Sequence, residues 1–387
     1  RGPMAGHPSG IGSVKPVNWA YDRAPMIIYW ELTNACGLAC KHCRATAMPE
    51  PAPGELTTEE CLQVLDTIAG FGSPLPHIVM TGGDPLRRPD LEILIKAAID
   101  RGVGVSLAPA VTPLLTAERI AWMKDLGVGA ISLSLDASNA LAHDGLRQVA
   151  GTFDATLEAL RQAAAVQLPV QVNTLVSADN ADDLEAMYQL LSAEKLMQWS
   201  LFFLISVGRG TQLTELDPGE AERLLMHWGA RSATAPFRIK TTEAMQYRRI
   251  LAQRMFAEGK TREQIEAGRA SAGFGIRDGN GVVFISHLGK VTPSGFLPIE
   301  VGSVREQSLV EIYRDAPLMR QLRRPEQFKG RCGVCEFHRW CGGSRARAWA
   351  RTGDPLETDP MCPYQPNHRY AEAMQATAQP ADAQPVG

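Results

Sequence analysis

Residues 26–43 read MIIYWELTNACGLACKHC. The opening run, MIIYWELT, is rich in β-forming residues and stops just short of a cysteine triplet. Cys36, Cys40 and Cys43 then fall within eight residues. A structural zinc or a fully ligated iron–sulfur cube takes four ligands, and a disulfide framework takes an even number of cysteines. Three thiolates can hold three irons of a [4Fe–4S] cube and leave the fourth open, and an open metal position is a place for reaction. The plainer alternatives are a zinc knuckle and a chance triplet.

Outward from this stretch, strand-like and helix-like runs alternate up to residue 206. Five further strands are predicted at 77–81, 104–110, 129–137, 169–176 and 199–206. Helices are predicted between them at 55–71, 88–101, 116–126, around 155–166 and at 181–194, with another at about 218–232. Thr57 and Glu60 carry the spacing of a capping box. Such alternation demands parallel strands joined by right-handed crossovers. The expected fold class is therefore α/β, a partial (β/α)6 TIM-like barrel, open because six units are too few to close the usual eight. In such barrels active sites form in the loops after the strands, where the cysteine triplet lies.

After residue 235 the pattern changes. Residues 244–270 are polar and helical, GNGVVFISHLGKVTPSG (279–295) reads as a hairpin, and residues 330–362 are cysteine-rich. The tail MQATAQPADAQPVG is rich in Ala, Gln and Pro, the composition of disorder. The expected organisation is an N-terminal extension (1–24), the barrel (25–235), a connector with a hairpin (236–300), a cysteine-rich module (301–368) and a disordered tail (369–387).

The chain has 387 residues, 45% hydrophobic and 21% charged, with a net charge of −3. That balance predicts no affinity for nucleic acid or for a membrane surface. No apolar run reaches the roughly 18 residues that span a bilayer, and RGPMAGHPSG lacks a signal-peptide core. The expected location is cytoplasmic, where thiols stay reduced. Of eight cysteines, seven fall into two clusters, and clustered reduced cysteines read as metal ligands. Cys61, in line with Leu65 and Ile68, reads as core.

Two companion motifs accompany the triplet. TGGDP (Thr81 to Pro85) follows the second strand, and its paired glycines permit close backbone approach. SLDASNALAHDGLR carries Ser134, Asp136 and Arg147. Together with C-x3-C-x2-C in a first βα loop, these resemble the radical S-adenosylmethionine (AdoMet) superfamily. The resemblance implies that the amine and carboxylate of AdoMet chelate the fourth iron. One electron then cleaves AdoMet to methionine and a 5′-deoxyadenosyl radical, which abstracts a substrate hydrogen. It further implies that Gly82, Gly83 and Asp84, where a Glu is commoner, hold the AdoMet amino group, and that Ser134 and Arg147 bind its polar groups. An Arg fork suits a carboxylate, since it donates two parallel hydrogen bonds. His42 is expected against the adenine and Asn173 near the adenosine. For Arg147 the plain alternative is a helix cap or a surface pair.

The second cluster is Cys332-x2-Cys335-x5-Cys341, with Cys362 further on. Four thiolates make a closed site, and spacing alone fits zinc or iron–sulfur. The pattern resembles the SPASM/twitch extensions of radical AdoMet enzymes, which implies an auxiliary [4Fe–4S] cluster for electron transfer. A full SPASM domain takes a further cysteine from the hairpin; here GKVTPSG places Ser294 there, so one auxiliary cluster is expected. Residues 303–351 hold eleven Arg/Lys against five Asp/Glu, a charge that would stabilise a reduced cluster and attract anions. Lys240, Glu243, Tyr247, Arg248 and Arg249, and SVGRG (206–210), are open between substrate contact and solvated connector. His287 reads as a turn residue.

The barrel, the two motifs and CGGSRARA (341–348) are similar to a narrower group, alternative haem-pathway enzymes that remove or oxidatively decarboxylate propionates of iron porphyrins or sirohaem derivatives. That implies an anionic tetrapyrrole substrate and an electron donor such as flavodoxin or ferredoxin. A ribosomal-peptide maturase is the alternative; the 25 residues before the first strand leave no room for a peptide-docking domain at that end. A non-catalytic iron–sulfur redox sensor would explain the clusters but not the AdoMet motifs.

Overall fold

The computed structural model describes residues 19–375. Seven parallel strands follow one another across the sheet in chain order: β1 (Ile27–Glu31), β2 (His77–Thr81), β3 (Val105–Leu107), β4 (Ala130–Ser134), β5 (Val170–Val176), β6 (Gln198–Phe203) and β7 (Arg238–Thr242). Helices α1 (Thr58–Ile68), α2 (Leu91–Asp100), α3 (Ala117–Asp125), α4 (Ala140–Arg147), α5 (Thr152–Ala165), α6 (Leu184–Ser192) and α7 (Pro218–Arg231) fill the crossovers. The α1 capping box forms: the Glu60 amide donates to Thr57 Oγ1 at 3.2 Å, and the Thr57 amide donates to Glu60 Oε2 at 2.9 Å.

Successive residues of a strand face opposite sides of the sheet. Ile28, Trp30, Ile78, Met80, Leu133, Val172 and Leu201 join one core with Cys61, Leu65 and Ile68 of α1. Each fully buried Leu or Ile of this kind stabilises the fold by about 1.5–3 kcal/mol. The intervening residues Ser132, Ser134, Asn173 and Phe202 line a cavity on the concave face.

The sheet extends past the predicted barrel at both edges. β7 lies beyond residue 235 and pairs with β6 from Gln198↔Arg238 to Phe202↔Thr242. Its sequence, RIKTT, puts Ile239 in the core while Arg238, Lys240 and Thr242 are only half-buried, so it lacks the apolar run that marks a strand. At the other edge, β8 (Arg277–Asp278) flanks β9 (Gly281–Ile285), and β9 pairs in parallel with β1. β10 (Lys290–Thr292) and β11 (Gly302–Ser303) continue antiparallel. The hairpin is thus part of the sheet, which stays open between β7 and β11.

The cysteine-rich module packs on the barrel through Arg347, which is fully buried and donates to the Glu243 carbonyl at 2.6 Å and the Leu204 carbonyl at 3.0 Å. The expected disordered tail needs correction at its start. Residues Ala371–Gln375 form a helical turn, and buried Met374 joins Phe337 and Trp340 in a second apolar cluster. Residues 376–387, and 1–18 of the N-terminal extension, lie outside the described residues. Among the described residues no helix is long and apolar enough to cross a membrane.

Candidate active site

Three strand-end loops build the site. In the first, Cys36, Cys40 and Cys43 border one cavity of about 280 Å³. Each sulfur faces a donor: the Leu38 amide reaches Cys36 Sγ at 3.4 Å, Arg147 Nη1 reaches Cys40 Sγ at 3.5 Å, and the Ala47 amide reaches Cys43 Sγ at 3.5 Å. Burial pushes the Cys36 thiol up to about 11. Burial also opposes ionisation of Cys43, but the Ala47 amide and the Arg209 guanidinium outweigh it and hold that thiol below its usual value.

The second loop is the glycine pair after β2. Gly82 and Gly83 line the cavity, and their immediate neighbour is the cysteine loop. A Cβ on Gly82 would stand 2.6 Å from the Thr33 carbonyl oxygen, and one on Gly83 2.3 Å from that of Ala35. The Gly83 amide donates to Thr33 at 2.8 Å and the Asp84 amide to Ala35 at 2.7 Å. Only glycines let the two loops nest so closely. Asp84 stands behind the wall rather than in it: its buried carboxylate accepts from the Leu86 amide at 3.1 Å, the Ala110 amide at 3.3 Å and Thr112 Oγ1 at 3.1 Å. The ligand role expected of Asp84 thus meets a carboxylate already serving as a cap for the turn Pro85–Arg87.

The third loop follows β4. Ser134 and Asn173 are register partners on β4 and β5 and both line the cavity. Arg147 lines it too, but its Nη2 forms an ion pair with buried Asp136. Asp136 Oδ1 also accepts from the Leu175 amide at 2.8 Å. The partner is interior, neither the helix cap nor the surface pair that stands as the alternative to AdoMet binding, and both terminal nitrogens of Arg147 are engaged. The Asp136 amide donates to His143 Nδ1 at 3.1 Å. Burial lowers His143 to about 4, consistent with a ring nitrogen that must keep its lone pair. His42 lines the same cavity with its Nδ1 buried and unpartnered, and burial lowers it to about 4 as well.

The second cysteine cluster is a separate, smaller recess of about 30 Å³ bordered by Cys332, Cys335, Cys341 and Cys362. Donors again face the sulfurs. The Asp359 amide and Arg345 Nη2 each reach Cys332 Sγ at 3.4 Å, the Gly343 amide reaches Cys341 Sγ at 3.5 Å, and Arg249 Nη2 lies 3.9 Å from Cys362 Sγ. Gly343, at φ +67°, has no room for a side chain, because its Cβ would stand 2.8 Å from Asp359 Cβ and 3.1 Å from Cys332 Sγ. Burial pushes Cys335 up to about 12, Cys362 up to about 11 and Cys341 up further. Ser294 is buried, and its Oγ accepts from the Phe296 and Leu297 amides at 3.2 Å.

The open candidates divide. Glu243, at φ +56°, accepts from Ser344 Oγ at 2.5 Å, and burial pushes its carboxyl up. Tyr247 is core, Arg248 donates to the Ile276 carbonyl, and Arg249 pairs with Glu222 at 2.7 Å. Glu243, through Ser344, and Arg249, beside Cys362, reach the cysteine-rich module; none of the four lines the large cavity, and Lys240 does not line it either. His287 is more than a turn residue, since its Nδ1 lies 2.5 Å from Glu31 Oε1, and Glu31 also pairs with Arg44 at 2.9 Å. Arg44 and His143 line the cavity without having been singled out by the sequence, and Arg209, of the open candidate segment SVGRG, lines it too. His143 was within reach, because it lies four residues before Arg147 on one face of α4.

The pattern of the Radical SAM superfamily matches residues 30–191. An AdoMet-dependent heme synthase of Methanosarcina barkeri is 37% identical over 350 residues, 90% of this chain and 99% of the relative. One of Nitratidesulfovibrio vulgaris is 36% identical over 367 residues, 94% of this chain and 98% of the relative. Among solved structures, Streptococcus suis SuiB bound to S-adenosylmethionine superposes with a TM-score of 0.66 at 15% identity, covering 88% of this chain and 78% of SuiB, a likeness of fold. The three-thiol loop on a parallel sheet and the near full-length relatives agree: the chain belongs to the radical SAM superfamily, whose enzymes use a [4Fe–4S] cluster and AdoMet.

Proposed function

We propose that this enzyme acts on the propionate side chains of an iron porphyrin. The observation that carries the reading is similarity over about nine-tenths of the chain to AdoMet-dependent heme synthases. The cavity supports it with a mixed lining that includes Phe202 and Phe296, rings 6.4 Å apart, and the cations Arg44, Arg147 and Arg209. A flat apolar macrocycle with acidic side chains matches that combination.

Cys36, Cys40 and Cys43 would hold the AdoMet-binding cluster, with a donor already directed at each sulfur. Gly82, Gly83, Ser134, Asn173, His42 and Arg147 would form the wall around AdoMet. Cys332, Cys335, Cys341 and Cys362 would hold one auxiliary [4Fe–4S] cluster. A single zinc ion would need sulfurs within about 2.3 Å of one point, and among the described residues no three His, Cys, Asp or Glu side chains are disposed to hold one ion. When bound, these groups supply a 5′-deoxyadenosyl radical that takes a hydrogen atom from the substrate, and a route for electrons. The residues of the chain bind, orient and shield; the electron donor would be a flavodoxin- or ferredoxin-type protein.

The test is anaerobic reconstitution with iron and sulfide, reduction with dithionite, and incubation with AdoMet and iron coproporphyrin III. Expected are 5′-deoxyadenosine and a porphyrin in which each converted propionate has given a hydrogen atom to the deoxyadenosyl radical, its carboxylate as carbon dioxide and one electron to the auxiliary cluster, leaving a vinyl group. Deoxyadenosine without any change in porphyrin mass would reject the substrate while leaving the radical chemistry intact.

A further inference from the structure

The cavity carries three guanidinium groups, and they are not equivalent. Arg44 is neutralised by Glu31 at 2.9 Å, and Arg147 by Asp136. Arg209 has no carboxylate partner among the described residues, and its Nε and Nη2 are both buried without a hydrogen-bond acceptor. A buried guanidinium with two orphan donors is strongly unfavourable unless something else satisfies it. The group is also held in place. The Arg209 amide donates to the Cys43 carbonyl at 3.2 Å. A Cβ on the preceding Gly208, at φ +55°, would stand 2.8 Å from that same oxygen and 2.7 Å from the Arg44 carbonyl oxygen. The loop after β6 is thus pressed onto the cysteine loop, which fixes Arg209 in the cavity lining. His42 and Arg147 line the same cavity and each also has one buried, unpartnered nitrogen, Nδ1 and Nε.

We infer that Arg209 is the carboxylate anchor of this cavity, its two free N–H groups gripping a ligand carboxylate as a fork. Both terminal nitrogens of Arg147 are committed to Asp136 and Cys40, leaving only its Nε unpartnered, whereas Arg209, though it also bonds to Cys43, keeps two unpartnered N–H groups, Nε and Nη2. Two ligands expected here bring carboxylates, AdoMet and a porphyrin propionate. The second source rests on the proposed substrate; the first does not.

The experiment measures dissociation constants for AdoMet, for iron coproporphyrin III and for its methyl ester, on reconstituted wild type, Arg209→Gln and Arg209→Lys. Losing a charge-assisted pair of hydrogen bonds weakens binding roughly 10- to 100-fold. Weaker AdoMet binding in Arg209→Gln, with porphyrin affinity unchanged, assigns the AdoMet carboxylate. Weaker binding of the porphyrin acid, with ester affinity unchanged, assigns a propionate. Arg209→Lys should fall between wild type and Arg209→Gln, and it serves alone if the Gln variant fails to assemble. AdoMet and porphyrin affinities within about twofold of wild type in both variants overturn the inference. A wild-type protein that binds no porphyrin, with AdoMet still weakened by Arg209→Gln, rejects only the substrate reading.

Discussion

The two cysteine clusters are built from the same chemistry and differ in what surrounds them. At the N-terminal end three thiols border a cavity of about 280 Å³ that also holds Ser134, Asn173 and Arg209, which has no carboxylate partner among the described residues. At the C-terminal end four thiols border a recess of about 30 Å³ that Arg249, Arg331, His338 and Tyr364 also line. Both surround sulfur with N–H donors. The first therefore has room for a ligand beyond the protein, and the second does not. A count of cysteines alone suggests this contrast; the volumes and partners give it physical content.

The largest effect should come from removing one thiol at each end. Two cubes correspond to about eight irons per chain, and either Cys40→Ala or Cys341→Ala should halve that. Only Cys40→Ala should abolish 5′-deoxyadenosine, whereas Cys341→Ala should still cleave AdoMet and lose porphyrin turnover. Equal loss of deoxyadenosine in both variants would erase the distinction between the sites.

Next come the ion pairs beside each cluster. Arg147→Met strands Asp136, which is 3% exposed, as a buried unpaired charge and should destabilise the fold by about 3–5 kcal/mol. Arg249→Met releases Glu222, which reaches solvent, and should cost only about 1–2 kcal/mol. Anaerobic urea midpoints measure both, and a reversed order would mean that the first cavity is more open to water than its burial indicates.

A smaller effect separates the sites by pH. His143 titrates at about 4 in the fold and at about 6.5 when unfolded, so the unfolded chain takes up the proton first as pH falls. Its contribution is whole above about 6.5 and is lost towards pH 4, at most about 3 kcal/mol. His143→Asn, which keeps an acceptor for the Asp136 amide, should flatten that part of the stability curve; an unchanged slope would place the titration elsewhere. The smallest expected effect is none: Ser294→Cys should add no iron, because Cys61, the one cysteine outside the clusters, is fully buried on α1. Extra iron and sulfide in that variant would show a second auxiliary site.

Much of this contrast is legible in the sequence because it rests on local patterns. Cysteine spacing and the strand before it belong to single segments, and Ser134 and Asn173 were reached through the family resemblance. The interior pair Asp136–Arg147 was quoted as a motif, but its partnership depends on α4 folding back over β4, which spacing does not dictate. β7 was hidden because Arg238, Lys240 and Thr242 alternate with its few apolar residues. Arg209 lay in a segment of undecided role, and its place in the cavity lining, with Nε and Nη2 unpartnered among the described residues, is visible only in three dimensions.

The central claim is that one cluster accepts a ligand and the other is closed. Electron paramagnetic resonance of the dithionite-reduced protein, with and without AdoMet, tests it directly. Two overlapping [4Fe–4S]+ signals are expected, and AdoMet should shift only the one that Cys40→Ala removes. Insensitivity of that signal to AdoMet, or a shift in the signal that Cys341→Ala removes, would contradict the account.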